Sequence, residues 1–387
     1  MIKSAVMDDL LFLPMPRSTQ RTGGECLGNA ERAEVRIDRS VAPPQGYRLT
    51  IGRHGILIVA ADEAGAFYGR QTLQQLSMHL SALPCCIIDD WPDFAARGVM
   101  LDVSRDKVPT MATLFALIDR LASWKINQLQ LYIEHTFAYR DHQEVWKDAS
   151  PFTADEIRAL DDYCRKRFIE LVPNQNSFGH MERWLKHARY LPLAEAPDGA
   201  QTPWGFYWNG PFSLCPTDPK SIPFLAGLYD ELLPNFRSGL FNVGCDETFD
   251  IGAGRSAAAV KERGVHAVYL DFLESVYKLV QERGRRMMFW GDIIRHAPEL
   301  LPALKERLPN AIAMVWNYEA ETTFDADGAM FASVGVPFYV CPGTSSWCSI
   351  AGRTDVMRAN ARSAAIEGKR HGAIGYLMTD WGDYGHL

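Results

Sequence analysis

From residue 97 to residue 383 the chain repeats one pattern eight times: a short apolar run closing on polar or aromatic residues, then a helical stretch. The runs are RGVMLDVSRD, QLQLYIEHTFAY, FIELVPNQNSFGH, GLFNVGCDET, RRMMFWGD, AIAMVWNYE, VPFYVCPG and AIGYLMTDWGD. Between the first two, TMATLFALIDRLASWKIN places Met111, Leu114, Ile118 and Leu121 at helical spacing. Between the next two, TADEIRALDDYCRKR opens on Thr153 as an N-cap, with Glu156 at the capping-box position. Strands alternating with helices build either a doubly wound sheet or a closed barrel. The count of eight and the polar strand ends favour an α/β fold of the (β/α)8 TIM-barrel type. In such a barrel the C-terminal strand ends share one face, and here they carry Arg105, Glu134, His135, His180, Asp246, Glu247, Trp290, Asp292, Trp316, Tyr318, Trp347, Trp381 and Asp383.

The segment before the barrel reads as a small α/β domain. YRLTIGRHGILIVA, residues 47 to 60, alternates and turns like a β-hairpin, and ADEAGAFYGRQTLQQLSMHL follows as a helix with Phe67, Leu73, Leu76 and Leu80 near one face. LPCCIIDDWPDFAARG looks like a boundary, which places the small domain over residues 1–92 and the catalytic barrel over 93–387. The sequence stops at Leu387, directly after the eighth strand, so the final barrel helix is expected to be missing.

Composition narrows the function. With 47% hydrophobic residues the chain can bury a large core, and a net charge of -7 without a long basic run disfavours nucleic acid and anionic membranes as partners. No apolar segment is long enough to span a bilayer. The opening MIKSAVMDDLLFLPMPRSTQ is interrupted by two aspartates and makes a poor signal peptide. The eight cysteines are scattered, apart from the neighbours Cys85 and Cys86, without metal-ligand spacing. Unpaired thiols in a reducing cytoplasm are the expectation.

Four tryptophans (Trp290, Trp316, Trp347 and Trp381) fall at or just past successive strand ends. One such tryptophan is ordinary packing; four at one face make an aromatic-walled pocket suited to a sugar ring. Asp383, Glu134 and Arg105 beside them offer hydroxyl-binding groups, although each alone reads better as a surface charge or an ion pair. Asp246 and Glu247 are the sharper signal. Glycosidases with a protein nucleophile hold two carboxyls about 5–5.5 Å apart across the bond, and inverting ones about 6.5–9.5 Å. Adjacent residues are badly placed to flank a bond from opposite faces. They can serve one side of the sugar, Glu247 protonating the leaving oxygen and Asp246 holding a substrate group that is itself the nucleophile. A metal site, or a cap on the following helix by Asp246 or Thr248, is the alternative.

These motifs together (RGVMLDVSR, FGH, GCDET and WGDYGH) resemble the β-N-acetylhexosaminidases of glycoside hydrolase family 20, over about Tyr47 to His386. The resemblance implies a small α/β domain before the barrel. It implies exo-removal of terminal non-reducing β-linked N-acetylglucosamine or N-acetylgalactosamine, with retention through an oxazolinium intermediate and with no metal or organic cofactor. By position it makes Asp246 the residue that orients the acetamido group and Glu247 the general acid and base. Arg105 and Asp383 bind sugar hydroxyls, His180 supports the carboxylates, and Trp290, Trp316 and Trp381 wall the pocket. The chain departs from the family at several points. Its second strand ends YIEHT where better-known members have two aspartates, Asn176 stands where an aspartate is usual, and Trp347 is followed by Cys348 instead of the tyrosine that bonds the acetamido group. Tyr318 is the nearest substitute for that hydroxyl. These departures keep two rival readings open: a carbohydrate-binding barrel without turnover, and a glycosidase for sugars lacking an acetamido group. The implied partner is a glycan or small molecule ending in N-acetylhexosamine. Homodimer formation is left open.

Overall fold

The computed structural model describes residues 10–27, 32–80, 82–105, 107–321, 324–347 and 349–383. The start of the opening segment, Cys348 and the last four residues, which include His386 of WGDYGH, lie outside the described residues. The chain divides into two units, one made of Met1–Ala95, Phe115–Asn127 and Cys164–Ile169, the other of Ala96–Leu114, Gln128–Tyr163 and Glu170–Leu387.

The first unit holds a five-stranded sheet of β1 (Ser18–Glu25), β2 (Glu34–Ile37), β3 (Tyr47–Gly52), β4 (Gly55–Ala60) and β5 (Pro84–Asp90), in the order β1-β5-β3-β4-β2. The expected hairpin is β3–β4, antiparallel from Tyr47↔Ala60 to Gly52↔Gly55. The helix Glu63–His79 starts where the Asp62 carboxylate accepts the Gly65 N–H at 2.8 Å. Its Tyr68, Leu73 and Leu76 share a buried cluster with Leu49, Ile58 and Ile88. The segment read as a boundary is mostly β5, which pairs with both β1 and β3. Its alternating burial is masked in the sequence by a proline and two aspartates.

The second unit is the barrel. Its strands are β6 (Ala96–Asp102), β7 (Gln128–Tyr132), β8 (Glu170–Val172), β11 (Leu240–Asn242), β12 (Arg286–Trp290), β13 (Ile312–Trp316), β14 (Phe338–Cys341) and β15 (Gly375–Asp380). They form one parallel sheet in the order β11-β12-β13-β14-β15-β6-β7-β8. The eighth barrel strand pairs directly with the first, from Gly375↔Ala96 to Asp380↔Leu101. The ring closes between β8 and β11 through the bridge Asn174↔Asn242, where Gln175 N–H donates to Asn242 O at 3.0 Å. Met100, Val172, Met288, Met314 and Leu377 fill the interior, topped by Tyr132, Trp290 and Trp381. Each such buried side chain contributes roughly 1.5–3 kcal/mol. The capping box at Thr153 forms as expected: Thr153 N–H donates to Glu156 Oε2 at 2.9 Å, and Glu156 N–H to Thr153 Oγ1 at 3.2 Å.

An antiparallel hairpin, β9 (Gly199–Gln201) with β10 (Tyr207–Asn209), projects between β8 and β11. Nothing in the sequence pattern pointed to it. Among the described residues no disulfide forms, and no helix is long and apolar enough to cross a membrane.

Candidate active site

The segment after β11 leaves regular strand geometry at once. Gly244 has φ +70, and a Cβ there would stand 2.1 Å from Asn176 Oδ1. Gly179 is equally constrained, since a Cβ would meet Asp246 O at 2.4 Å. Both glycines of the FGH and GCDET motifs are therefore requirements of close backbone approach. Cys245 (φ 70) and Glu247 (φ 50) also take left-handed conformations, each strained by about 1–2 kcal/mol. Neighbouring elements hold them there. Tyr269 OH donates to Cys245 O at 3.0 Å, and Glu247 N–H donates to Asp292 Oδ2 at 3.0 Å. Beyond the pair, buried Glu195 accepts the N–H groups of Gly252, Gly254 and Ser256 at 3.2, 3.1 and 3.0 Å. The next helix, Ala257–Arg263, begins after Ser256, so neither Asp246 nor Thr248 caps it.

The unusual backbone turns two neighbouring carboxylates toward one imidazole. His180 Nε2 lies 3.4 Å from Asp246 Oδ2 and 3.3 Å from Glu247 Oε2. Burial disfavours a charged ring, but Asp246, seconded by Glu247, outweighs it and holds the His180 pKa well above its ordinary value. The second Asp246 oxygen, Oδ1, is buried without a protein hydrogen-bond partner. A hydrogen-bond donor on a ligand would satisfy it.

Arg105 anchors the opposite side. Its guanidinium is 3.3 Å from His180 Nδ1 and pairs with Asp102 Oδ2 at 3.0 Å, Asp383 Oδ1 at 2.9 Å and Glu134 Oε1 at 3.4 Å. Asp102 also accepts the Gly382 N–H at 2.9 Å, tying the ends of the first and eighth strands. Burial raises Glu134 to about 7 against the pull of Arg105 and His180, and burial likewise raises Asp383 against Arg105. His180, Asp246 and Glu247 bring donor atoms within 4.8 Å of one another, a spacing a metal could use. The Arg105 guanidinium, 3.3 Å from His180 Nδ1, disfavours a cation there.

Aromatic rings cover the strand ends. Trp381 meets Tyr132 edge-on at 4.7 Å and lies 5.6 Å from Trp290. The Trp381 indole N–H donates to Tyr318 OH at 2.7 Å, and the phenol also shares a hydrogen bond with the Thr379 hydroxyl. Tyr318 stacks on Trp316 at 5.1 Å and meets Trp347 edge-on at 5.0 Å. Trp290 is 0% exposed, so it backs Trp381 instead of offering a face.

The catalytic-domain model described as glycosyl hydrolase family 20 matches residues 94–364, and the model for domain 2 of the same family matches 13–91. The chain belongs to glycosyl hydrolase family 20. A β-hexosaminidase of Akkermansia muciniphila is 29% identical over 276 residues, covering 64% of this chain and 55% of that protein. One from Porphyromonas gingivalis is 26% identical over 334 residues, covering 77% of this chain and 40% of that protein. The chain thus spans about half the length of these curated relatives. The structure of a family 20 exo-β-N-acetylglucosaminidase from Vibrio harveyi, in complex with N-acetylglucosamine, superposes with a TM-score of 0.74 at 18% identity, over 96% of this chain and 69% of that one. At that identity the likeness speaks for the fold alone.

Within this family 20 barrel some departures find local explanations. Asn176, in place of the usual aspartate, donates to Tyr132 OH at 2.5 Å and packs on Gly244. Glu134, from the altered second strand, stands 3.9 Å from His180 Nδ1, beside Arg105. His135 is buried and lines a separate small cavity with Lys107 and Arg183. Sequence reasoning named Asp292 only as a strand-end residue and missed Tyr132 and Asp102. Asp102 sits inside the RGVMLDVSR motif, and Tyr132 is a lone hydroxyl in an otherwise apolar run; those were the available signals. Burial first and the Asp246 charge second raise the Asp292 carboxyl to about 8.

Proposed function

We propose that this chain is an exo-acting β-N-acetylhexosaminidase that cleaves terminal, non-reducing β-linked N-acetylglucosamine or N-acetylgalactosamine with retention. Its barrel, residues 93–387, is proposed to carry the chemistry and residues 1–92 the accessory domain. One observation carries the reading. Asp246 and Glu247 converge on a single His180 nitrogen, while a buried Asp246 oxygen has no protein partner.

In the first step the acetamido carbonyl oxygen of the substrate attacks C1, and the bond from C1 to the leaving oxygen breaks. Glu247 gives its proton to that oxygen. Asp246 accepts the acetamido N–H through its open oxygen and balances the positive charge of the oxazolinium ring. Tyr318 donates its hydroxyl hydrogen to the acetamido oxygen. In the second step Glu247 takes a proton from water as that water attacks C1, and the acetamido group is released. Arg105, Glu134 and Asp383 bind ring hydroxyls, and Trp381, Trp347 and Trp316 wall the sugar over buried Trp290.

An aryl and a methyl β-N-acetylglucosaminide, assayed with wild type and Glu247→Gln, test the reading. A good leaving group needs little protonation, so the variant should lose about 10²-fold or more in kcat on the methyl glycoside and much less on the aryl one. Equal loss on both removes Glu247 as the acid. Sugar binding with no turnover by wild type favours the binding-barrel reading, and preference for plain glucosides removes the acetamido role.

A further inference from the structure

Two neighbouring helices of the second unit bring together a second set of ligating side chains, separate from the catalytic cluster. The helix Thr354–Arg370 carries Glu367 in its last turn, with His371 at its C-cap. His371 N–H donates to Glu367 O at 3.0 Å, so the two residues stand one turn apart on the same face. The helix Asp325–Ser333 offers Asp325 from its first turn. One donor atom from each of the three lies within 4.8 Å of the other two, and His371 Nε2 stands 2.6 Å from Asp325 Oδ1.

The imidazole is seated between the helices. A Cβ on buried Gly328 would stand 3.1 Å from His371 Cδ2 and 3.2 Å from His371 Cβ, so the helix that carries Asp325 makes room for the ring with a glycine. The hydrogen bond from His371, aided by the Arg370 charge, holds the Asp325 carboxyl below its ordinary range and keeps it ionised. Arg370 Nη1 lies 3.1 Å from Asp325 Oδ1 and 3.3 Å from Glu367 Oε2. Beside a neutral imidazole, one guanidinium leaves the two carboxylates with a net negative charge, which a divalent ion removes. The Arg370 side chain is 64% exposed and can turn out into water. Arg105 at the catalytic cluster cannot, because it is 19% exposed and pinned by Asp102, Glu134 and Asp383.

We propose that Asp325, Glu367 and His371 bind a divalent transition-metal ion of the zinc type, with water as the fourth ligand, and that the ion staples the two helices together. One imidazole nitrogen with two carboxylate oxygens is a zinc donor set, and three protein ligands with one water complete a tetrahedron. Magnesium and calcium, which take six or more oxygens, fit it poorly. The hydrogen that His371 now shares with Asp325 must leave Nε2 for the metal to bind, so affinity falls as pH drops. The ion binds the folded chain and stabilises it.

Calorimetric titration of the untagged protein with zinc, and thermal unfolding with and without it, test the site in wild type, His371→Ala, Asp325→Asn and Arg370→Ala. Wild type should take one zinc ion per chain and gain Tm in excess zinc but not in magnesium. Affinity should fall at least about tenfold in His371→Ala and in Asp325→Asn, and should be equal or tighter in Arg370→Ala. Asparagine keeps an oxygen for the His371 hydrogen bond, so a loss in that variant reports ligation and not unfolding. A wild type that binds no zinc overturns the proposal. Zinc affinity unchanged in both His371→Ala and Asp325→Asn also overturns it, and its loss in Glu247→Gln would then place the ion at the catalytic cluster.

Discussion

Replacing Asp292 by asparagine should stabilise the protein, by clearly more at alkaline pH than at pH 5. The Asp292 carboxyl is buried beside Asp246, and burial followed by the Asp246 charge carries its pKa from 3.8 to about 8. The folded chain therefore keeps a proton that the unfolded chain releases near pH 4. Stability linked to this group is fully present below about pH 4 and is lost as pH rises toward 8. Each pH unit of that span corresponds to at most about 1.4 kcal/mol. Asparagine does not ionise and avoids this loss, so a net gain on the order of 2 kcal/mol or more is expected at pH 8.5 relative to pH 5. Asparagine retains an oxygen to accept the Glu247 N–H, which Asp292 Oδ2 now accepts at 3.0 Å, so the strained turn keeps its support. The assay is thermal unfolding of both proteins at pH 5 and pH 8.5. The Tm of the variant should exceed that of wild type by on the order of 3 °C more at pH 8.5 than at pH 5. A Tm difference equal at both values, or a variant less stable at pH 8.5, refutes the argument that Asp292 holds a proton in the fold.

The remaining predictions concern the turn and the pocket. Tyr318→Phe removes the proposed donor to the acetamido oxygen and should cut kcat on N-acetylglucosaminides by about 10²-fold, with a smaller change in KM; wild-type kcat would exclude that role. The same variant leaves the Trp381 indole N–H without its 2.7 Å acceptor and should lower stability by about 1–3 kcal/mol in an unfolding experiment. Gly244→Ala should destabilise by more than about 2 kcal/mol, because its Cβ would meet Asn176 Oδ1 and alanine resists a φ of +70. Adding Asn176→Ser should recover only the steric part, and a single variant as stable as wild type would contradict the geometry.

The barrel was legible because its strands read as compact apolar runs with polar ends. Phe241, Met288 and Val315 are buried, and the residues that follow them carry the chemistry. The sheet of the smaller unit was less legible. β1 is an exposed strand without an apolar face, and β5 hides its alternation behind Pro84 and the neighbours Asp89 and Asp90. Asp90 fits inside because Lys125 reaches it at 2.7 Å, a partner that no local pattern reveals. Asp292 lies 45 residues from the N–H it accepts, and Tyr132 lies 44 from Asn176, so their roles exist only once the strands are neighbours. The hairpin with Trp204 is too short for periodicity to register, although its threonine and glycine close a defined turn.

The adjacency of Asp246 and Glu247 has a structural cost that explains much of their surroundings. Successive residues of an extended strand point to opposite faces, so two neighbours cannot normally reach one nitrogen. Here they do, because Cys245 and Glu247 are left-handed and His180, which receives them, is left-handed as well at φ 56. Three non-glycine residues in that region within one site represent several kcal/mol of strain. The supports gather around them: Tyr269 on the Cys245 carbonyl, Asp292 on the Glu247 amide, Glu195 on the loop beyond, and Gly244 and Gly179 where side chains would collide. A pair serving only to cap a helix or to decorate a surface would need none of these. Conserving the two acids without the supports would leave them on opposite faces of a strand, and the single-sided chemistry proposed for them would have no geometry to act in.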